Sequence, residues 1–391
     1  MARTKKEVKP VKKMNYAVEF WRFVSCMIFI LVHVYIVYPT VYWHEAPWVK
    51  IINGQPHVMF KGSLDVIIIF YLITGFFLMK THVKNKNARG DKEKTTASSE
   101  AGKYLAKRIK TFYPAFLICL VFGLVLTNLY NDIPVNQWLK VAVDSLWEWG
   151  GCVLSGLGIG NSVYGLMPES HMLMNGPLWF ISCLLIVGYI IYFLLEKCED
   201  WFIGILAPIG FIFVYGYFHL NGISGMWYTF IGKSSFSTAF LQALVCIGMG
   251  CVFYVWVDKL NNHKFGTGSK VFLTIANVLA SAIVVYHMIW GTSFTFATIN
   301  GLCAIVVFLV LLNQDYLTQL LDYPIWKYPG KLALYIYMLH YPIIGYLHKF
   351  VGIENLHTTC LVTYGVTILL SVGLMLLMDY VITPIIIPKK D

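Results

Sequence analysis

Long runs of apolar residues, separated by short polar stretches, recur along almost the whole chain. Their positions are residues 16–41, 64–79, 111–129, 178–196, 201–218, 237–257, 271–290, 296–313, 332–348 and 358–382. At a rise of about 1.5 Å per residue, such runs suit helices that cross a hydrocarbon core of about 30 Å. The runs show no alternation with a period of two, which argues against the strands of a membrane barrel. The pattern predicts an all-α polytopic membrane protein with about ten transmembrane helices.

The composition favours one membrane body over several soluble domains. Of the 391 residues, 58% are hydrophobic and only 13% are charged, whereas soluble domains carry about 25% charged residues. A water-soluble fold is therefore excluded. We predict a basic cytosolic tail at residues 1–14, a transmembrane domain at 15–383 and a short cytosolic tail at 384–391.

The distribution of Lys and Arg predicts the orientation of the spans. Ten spans place both termini on one side of the membrane. With the termini inside, 24 of the 30 basic residues lie inside, five lie outside and Arg22 lies within the first span. This asymmetry follows the positive-inside rule, so both termini are predicted to be cytoplasmic. Topology and contact with membrane lipids account for the net charge of +10, and we expect no nucleic-acid partner.

Two of the predicted loops are long. The inner loop, residues 81–106, mixes Asn, Gly, Ser and Thr with charged residues, which is the composition of a flexible, solvated tether. The outer loop, residues 130–177, contains an amphipathic stretch from Asn136 to Trp149. That stretch is predicted to lie along the membrane surface as an interfacial helix.

Arg22 and His33 are the first candidates for chemistry. They are eleven residues apart in the first predicted span, so they project from one helix face about 16 Å apart along the axis. Ionisable groups at this depth are costly to bury and indicate function. Arg22 could hold an anion, and a neutral His33 could take a proton from a hydroxyl group. Alternatively, Glu19 could simply neutralise Arg22, and His33 could be a buried histidine bonded to a neighbouring hydroxyl group.

Two further sets of residues extend this candidate site. His340 lies midway along the ninth predicted span, two residues before Pro342, and either shares a polar pocket with His33 or packs against a Ser or Tyr. Lys107, Arg108 and Lys110 stand at the cytosolic start of the third predicted span. Such a cluster suits phosphate groups, but it also suits an anchor to anionic lipid headgroups. The nine cysteines show no metal-binding spacing, so no metal site is predicted.

These segments, taken in order, resemble the membrane-bound acyltransferases of family 3, which transfer acyl groups to sugars of bacterial surface glycans. The family's Arg and His, with ten residues between them, are matched by Arg22 and His33. Its other motifs are matched by Phe70 to Phe76 with Thr74 in place of Ser, by Lys107 to Pro114, by Trp179-Phe180 and by Tyr337 to Pro342. Two departures stand out: the third arginine of the basic motif falls on Thr111, and the Ser-Tyr before the last motif falls on Ala333 and Leu334.

The resemblance implies an integral membrane O-acyltransferase of the bacterial cytoplasmic (inner) membrane. Its co-substrate would be cytosolic acyl-CoA, first of all acetyl-CoA, with no bound cofactor and no metal. Its acceptor would be a hydroxyl group of an extracytoplasmic glycan or lipid-linked sugar. The alternative is a transporter or flippase of a lipid-linked glycan. Transporters of this kind often carry Gly- or Pro-interrupted helices at corresponding positions of two sequence halves, and this sequence shows no such pair.

The resemblance also implies roles for the candidate residues. Catalysis would fall to His33, as general base or transient acyl carrier, together with Arg22. Donor binding would fall to Lys107, Arg108 and Lys110, because a phosphate held there leaves the thioester of a pantetheine arm near His33. Pocket or supporting roles would fall to His340, Tyr337, Trp179 and Thr74. Thr74 and the following Gly75 would also let two helices approach closely.

Overall fold

The structure is a computed structural model that describes residues 15–37, 49–52, 55–58, 62, 67–90, 95–144, 179–223, 238–291, 294–351 and 356–386. Helices account for most of these residues. They are α1 Tyr16–Val37, α2 Ile68–Arg89, α3 Ala97–Tyr130, α4 Trp138–Asp144, α5 Trp179–Trp201, α6 Ala207–Leu220, α7 Thr238–Leu260, α8 Thr267–Trp290, α9 Phe296–Leu312, α10 Tyr316–Leu321, α11 Lys327–Val351, α12 Leu356–Leu377 and α13 Thr383–Ile386. A small antiparallel hairpin of β1 Val49–Ile52 and β2 Gln55–Val58 interrupts the helical pattern.

Each of the ten predicted apolar segments overlaps a helix of the described residues, but fewer helices meet the requirements of a membrane span. Within the described part of the chain, six helices are long and apolar enough: Tyr16–Val34, Ala97–Tyr130, Cys183–Leu220, Thr238–Leu260, Thr267–Trp290 and Thr358–Ile386. Helix α9 is shorter, and the second half of α2 carries several basic residues. The helical membrane fold is therefore confirmed, while the count of ten spans and the cytoplasmic termini stay predictions.

The predicted loop between the fourth and fifth spans is not present as a loop. The chain remains helical from α5 into α6, and the direction changes at Cys198, whose φ of −151° and ψ of 51° are not helical. A π-helical segment, Phe202–Leu206, follows this kink. A π segment adds a residue to the helical turn and redirects the axis, and both α5 and α6 pack against α7.

The prediction of a flexible inner loop at residues 81–106 is wrong. Helix α2 continues to Arg89, and α3 already begins at Ala97, where the side chain of Thr96 accepts a bond from the backbone of Ser99 over 3.2 Å. The guanidinium of Arg89 donates to both carboxylate oxygens of Glu196 on α5, over 2.7 and 2.9 Å. Arg89 therefore joins helices, because it also pairs with Glu100 on α3. The basic stretch from Lys107 consequently lies between two and three turns inside α3.

Helices α2 and α7 cross at very short range because glycines face each other. A side chain at Gly75 would overlap the carbonyl of Ile247, and one at Gly250 would overlap the carbonyl of Leu72. The thiol of Cys251 donates to the carbonyl of Gly75 over 3.3 Å. The expectation that Gly75 permits close helix packing is confirmed.

The interfacial helix predicted from Asn136 is present in its first half as α4. It carries the exposed apolar side chains of Leu139 and Val143, as expected for a helix on a membrane surface. Trp147, Trp149 and the remainder of the outer loop lie outside the described residues, as do the tail at 1–14 and residues 387–391. The predicted tail at 384–391 begins within helix α13.

Candidate active site

Helices α1 and α11 run parallel and are held in register by two contacts. The thiol of Cys26 donates to the carbonyl of Ala333 over 3.2 Å. Seven residues further along both helices, Nδ1 of His33 lies 3.2 Å from Nε2 of His340, and both pairs are 307 residues apart in sequence. A spacing of seven residues keeps the same faces of two helices in contact. Each histidine therefore faces the other helix.

The two imidazole rings form a buried pair. Their centroids lie 4.7 Å apart at an interplanar angle of 65°, and His33 and His340 are 7% and 1% exposed. Each ring also contacts its own helix. Nδ1 of His33 lies 2.8 Å from the carbonyl oxygen of Phe29, and Nδ1 of His340 lies 3.1 Å from that of Ile336. The structure thus brings together the two histidines that the sequence places at mid-membrane depth, and each bonds a backbone carbonyl of the preceding turn.

A cavity of about 210 Å³ is bounded by helices α1, α2, α3, α5 and α11. Its polar lining includes Arg22, Thr74, Tyr104, Arg108 and Tyr337. Its aromatic lining includes Phe70, Phe112 and Phe180. Four of the residues singled out in the sequence, from four different helices, therefore share one cavity. His33 and His340 are not among its lining residues, but Tyr337 is, and the ring of Tyr337 lies 5.8 Å from that of His340.

Arg22 lines the cavity and is also paired with Glu19. Nη1 of the guanidinium lies 2.9 and 3.2 Å from the two carboxylate oxygens of Glu19, one turn earlier on α1. Glu19 is buried against α11, where a side chain at Gly330 would overlap it. The neutralising contact considered from the sequence is therefore present. Both bonds use Nη1 of a group with five N–H donors, so the pairing orients Arg22 and leaves donors for an anion in the cavity.

The basic stretch of α3 divides between two faces of that helix. Arg108 points into the cavity, with its guanidinium carbon 5.3 Å from the ring centroid of Tyr104 and 5.9 Å from that of Phe112. These three residues are four positions apart, which places them on one helix face. Lys107 and Lys110 lie on the exposed side of α3 and do not line this cavity. The structure brings Arg108 to the site, and donor binding by the two lysines stays a prediction.

Tyr337 lines the cavity and also contacts the histidine pair at His340. Its ring centroid lies 5.4 Å from that of Phe180 on α5 and 5.8 Å from that of His340 on its own helix. Thr74 also lines the cavity, from α2. Trp179 begins helix α5, but its side chain lies outside the described part of the structure. The adjacent Phe180 is buried and forms part of the wall.

The sequence analysis did not single out Tyr104 and Cys26, which both line the cavity. Tyr104 lay in the stretch that was interpreted as a tether, although its spacing of four from Arg108 would have placed both on one helix face. Cys26 is one of the cysteines without metal-binding spacing, and it lines the same cavity as Arg22. The heptad that relates Cys26 to His33 was the available signal.

Two guanidinium groups thus face one cavity, and the ring of Tyr337 in its wall contacts one imidazole of the histidine pair. Guanidinium groups in a partly desolvated pocket bind phosphate or carboxylate oxygens strongly. An imidazole without a proton on one nitrogen can accept one from a hydroxyl group. The arrangement suits chemistry in which an anionic carrier is held at one end and a proton is transferred near the other.

Comparison with known proteins gives one match. The profile of a family described as an acyltransferase domain matches residues 15–379, which include every candidate residue above. Searches of curated proteins and of solved structures return no match. Because the matched region covers nearly the whole chain and contains both arginines and both histidines of the site, this protein belongs to acyltransferase family 3.

Proposed function

We propose that this protein is an integral membrane O-acyltransferase that moves an acyl group from cytosolic acyl-CoA to a hydroxyl group of a cell-surface sugar or polysaccharide precursor. One observation carries the proposal: Arg22 and Arg108 line the same cavity, and Tyr337 connects that cavity to the buried pair of His33 and His340. Acetyl is the acyl group we favour. The host membrane would be a bacterial cytoplasmic membrane with both termini of the chain inside.

The donor would be held by its phosphates. Arg22 and Arg108 are the charged residues of the cavity lining, and bidentate contacts to phosphate oxygens are the preferred use of guanidinium groups. The two ends of the α1 stretch from Arg22 to His33 are about 16 Å apart. An extended pantetheine arm has a length of this order, so a donor anchored at Arg22 would present its thioester beyond Tyr337, close to His33.

The reaction would then need a single proton acceptor. The oxygen of the sugar hydroxyl group attacks the thioester carbonyl carbon while its proton passes to His33. The tetrahedral intermediate collapses, the carbon–sulfur bond breaks, and the thiolate of CoA takes the proton from His33. Atoms and protons balance without a further co-reactant. If His33 instead carried the acyl group covalently, a labelled enzyme would accumulate when the acceptor is absent.

The test uses sealed membrane vesicles that contain the full chain and their own glycans. Radiolabelled acetyl-CoA, or succinyl-CoA in a parallel set, is supplied on the cytosolic side. We expect label in the extracytoplasmic glycan fraction that mild base removes, and its loss in His33→Ala vesicles with the same amount of inserted protein. Glycan that crosses the membrane without acquiring label from either donor would identify a transporter and overturn the proposal. Full activity in His33→Ala would remove His33 from the mechanism.

A further inference from the structure

The hydrogen bonds of the histidine pair determine which ring nitrogens of His33 and His340 carry protons. A carbonyl oxygen can only accept, so the contacts from Nδ1 of His33 to Phe29 and from Nδ1 of His340 to Ile336 each require a proton on Nδ1. In two neutral rings, both Nε2 atoms are then unprotonated. Nε2 of His340 lies 3.2 Å from Nδ1 of His33 and accepts from it. The Nδ1 proton of His33 is shared between Phe29 and His340 in a three-centre bond.

The other tautomer of His33 creates a conflict. If Nδ1 of His33 carried no proton, its lone pair would face the carbonyl oxygen of Phe29 at 2.8 Å. His340 would then have to donate to Nδ1 of His33 from a protonated Nε2. A neutral His340 with its proton on Nε2 would turn an unprotonated Nδ1 toward the carbonyl oxygen of Ile336. A doubly protonated His340 would instead place a positive charge on a ring that is 1% exposed. The arrangement with both protons on Nδ1 avoids these contacts. It leaves Nε2 of His33 as the atom able to accept a proton.

We propose that His340 is a positioning residue that fixes the tautomer of His33 and supports its positive charge during acyl transfer; this inference rests on the proposed function. When Nε2 of His33 takes the proton of the acceptor hydroxyl group, the bond from its Nδ1 to His340 becomes charge-assisted and therefore stronger. An aspartate performs this task in serine hydrolases, where it orients a histidine and stabilises the imidazolium. Here a neutral imidazole from a parallel helix occupies the corresponding position.

The register of α1 and α11 explains how a neutral imidazole can orient His33. The contact of Cys26 with Ala333 fixes the relative position of the two helices seven residues before the histidines. The ring of Tyr341 also packs against His33, with centroids 5.6 Å apart at an angle of 89°. Both imidazoles are thus held on well-packed helices without needing a charge to attract them. A buried carboxylate at this position would carry a large desolvation cost that an imidazole avoids.

The experiment compares two substitutions of similar size at one position, in vesicles with radiolabelled acetyl-CoA. His340→Gln keeps an acceptor, because the carboxamide oxygen can take the place of Nε2, whereas His340→Met keeps volume but offers no comparable acceptor. We expect kcat to fall by about 100-fold in His340→Met and by less than about 10-fold in His340→Gln, with the KM for acetyl-CoA unchanged in both. Tyr364→Phe is the matched control, because it removes another bond to α1, the partly buried 2.7 Å bond that Tyr364 donates to the carbonyl of Met27.

The outcomes separate this inference from the function on which it rests. Equal losses in His340→Gln and His340→Met, or a loss of the same size in Tyr364→Phe, would show a merely structural role and overturn the inference. Unchanged activity in His340→Met together with an inactive His33→Ala would also overturn it while leaving the acyltransferase intact. If the proposed function itself is wrong, vesicles with the unsubstituted protein will contain no base-labile label.

Discussion

The ring of Tyr337 lies 5.8 Å from the ring of His340, one turn apart on helix α11, and the same tyrosine forms part of the cavity wall. The cavity lined by Arg22 and Arg108 is therefore bounded by a side chain whose ring contacts that of His340. In the proposed reaction, a donor thioester held in this cavity would approach His33 past the ring of Tyr337.

Removing the ring of Tyr337 should damage both the wall and the reaction. We expect Tyr337→Ala to lower kcat/KM for acetyl-CoA by at least about 10-fold and the free energy of unfolding by about 3 kcal/mol, because a large aromatic group is lost from a packed site. Tyr337→Phe keeps the ring and should retain activity to within about threefold. Vesicle kinetics and thermal unfolding in detergent measure these effects. A loss in Tyr337→Phe as large as in Tyr337→Ala would show that the hydroxyl group matters, not the wall.

Arg108 and Lys107 are neighbours in sequence but should differ in donor binding. The guanidinium of Arg108 faces the cavity, whereas Lys107 is on the exposed side of α3. A hydrogen bond to a charged group contributes about 1.5–3 kcal/mol, so Arg108→Gln should raise the KM for acetyl-CoA by about 10- to 100-fold. Lys107→Gln should change it by less than about threefold. Saturation curves with acetyl-CoA measure both values. Equal increases would favour the sequence-based prediction that the whole basic stretch binds the donor.

The sequence predicted the helical fold because membrane helices need long apolar runs, and each of the ten runs overlaps a helix of the described residues. It failed between residues 81 and 106, since polar composition does not reveal a partner elsewhere in the chain. Arg89 is bound by Glu196, which is 107 residues away. The same limit applies to the site. Helical spacing placed Arg22 and His33 on one face, but the contact of His33 with His340 depends on the packing of two helices 307 residues apart.

The crossing of α2 and α7 should be intolerant of even one added methyl group. At Gly75 and Gly250, a Cβ atom would overlap a backbone carbonyl of the facing helix, and backbone atoms cannot move aside as side chains can. We expect Gly250→Ala to lower the free energy of unfolding by at least about 1–3 kcal/mol, the usual cost of overpacking. Gly301→Ala is the matched control, because an added Cβ meets nothing within 4 Å there and Ala favours a helix over Gly by about 1 kcal/mol. A thermal midpoint that falls equally in both variants would contradict this explanation.

Arg89 and Lys86 belong to the same turn of α2, yet their ion pairs should contribute differently to the free energy of unfolding. Arg89 is 16% exposed and binds Glu196 and Glu100, which are 12% and 6% exposed, whereas the side chain of Lys86 is 58% exposed beside Glu199. Removing Arg89 leaves two carboxylates in a poorly hydrated place, so Arg89→Gln should destabilise the protein by about 2–4 kcal/mol. Lys86→Gln should cost less than about 1 kcal/mol, because solvent screens an exposed pair. Thermal unfolding at low and high salt separates the two variants. Equal shifts of the midpoint would mean that these charges act only as a solvated surface, as their composition had suggested.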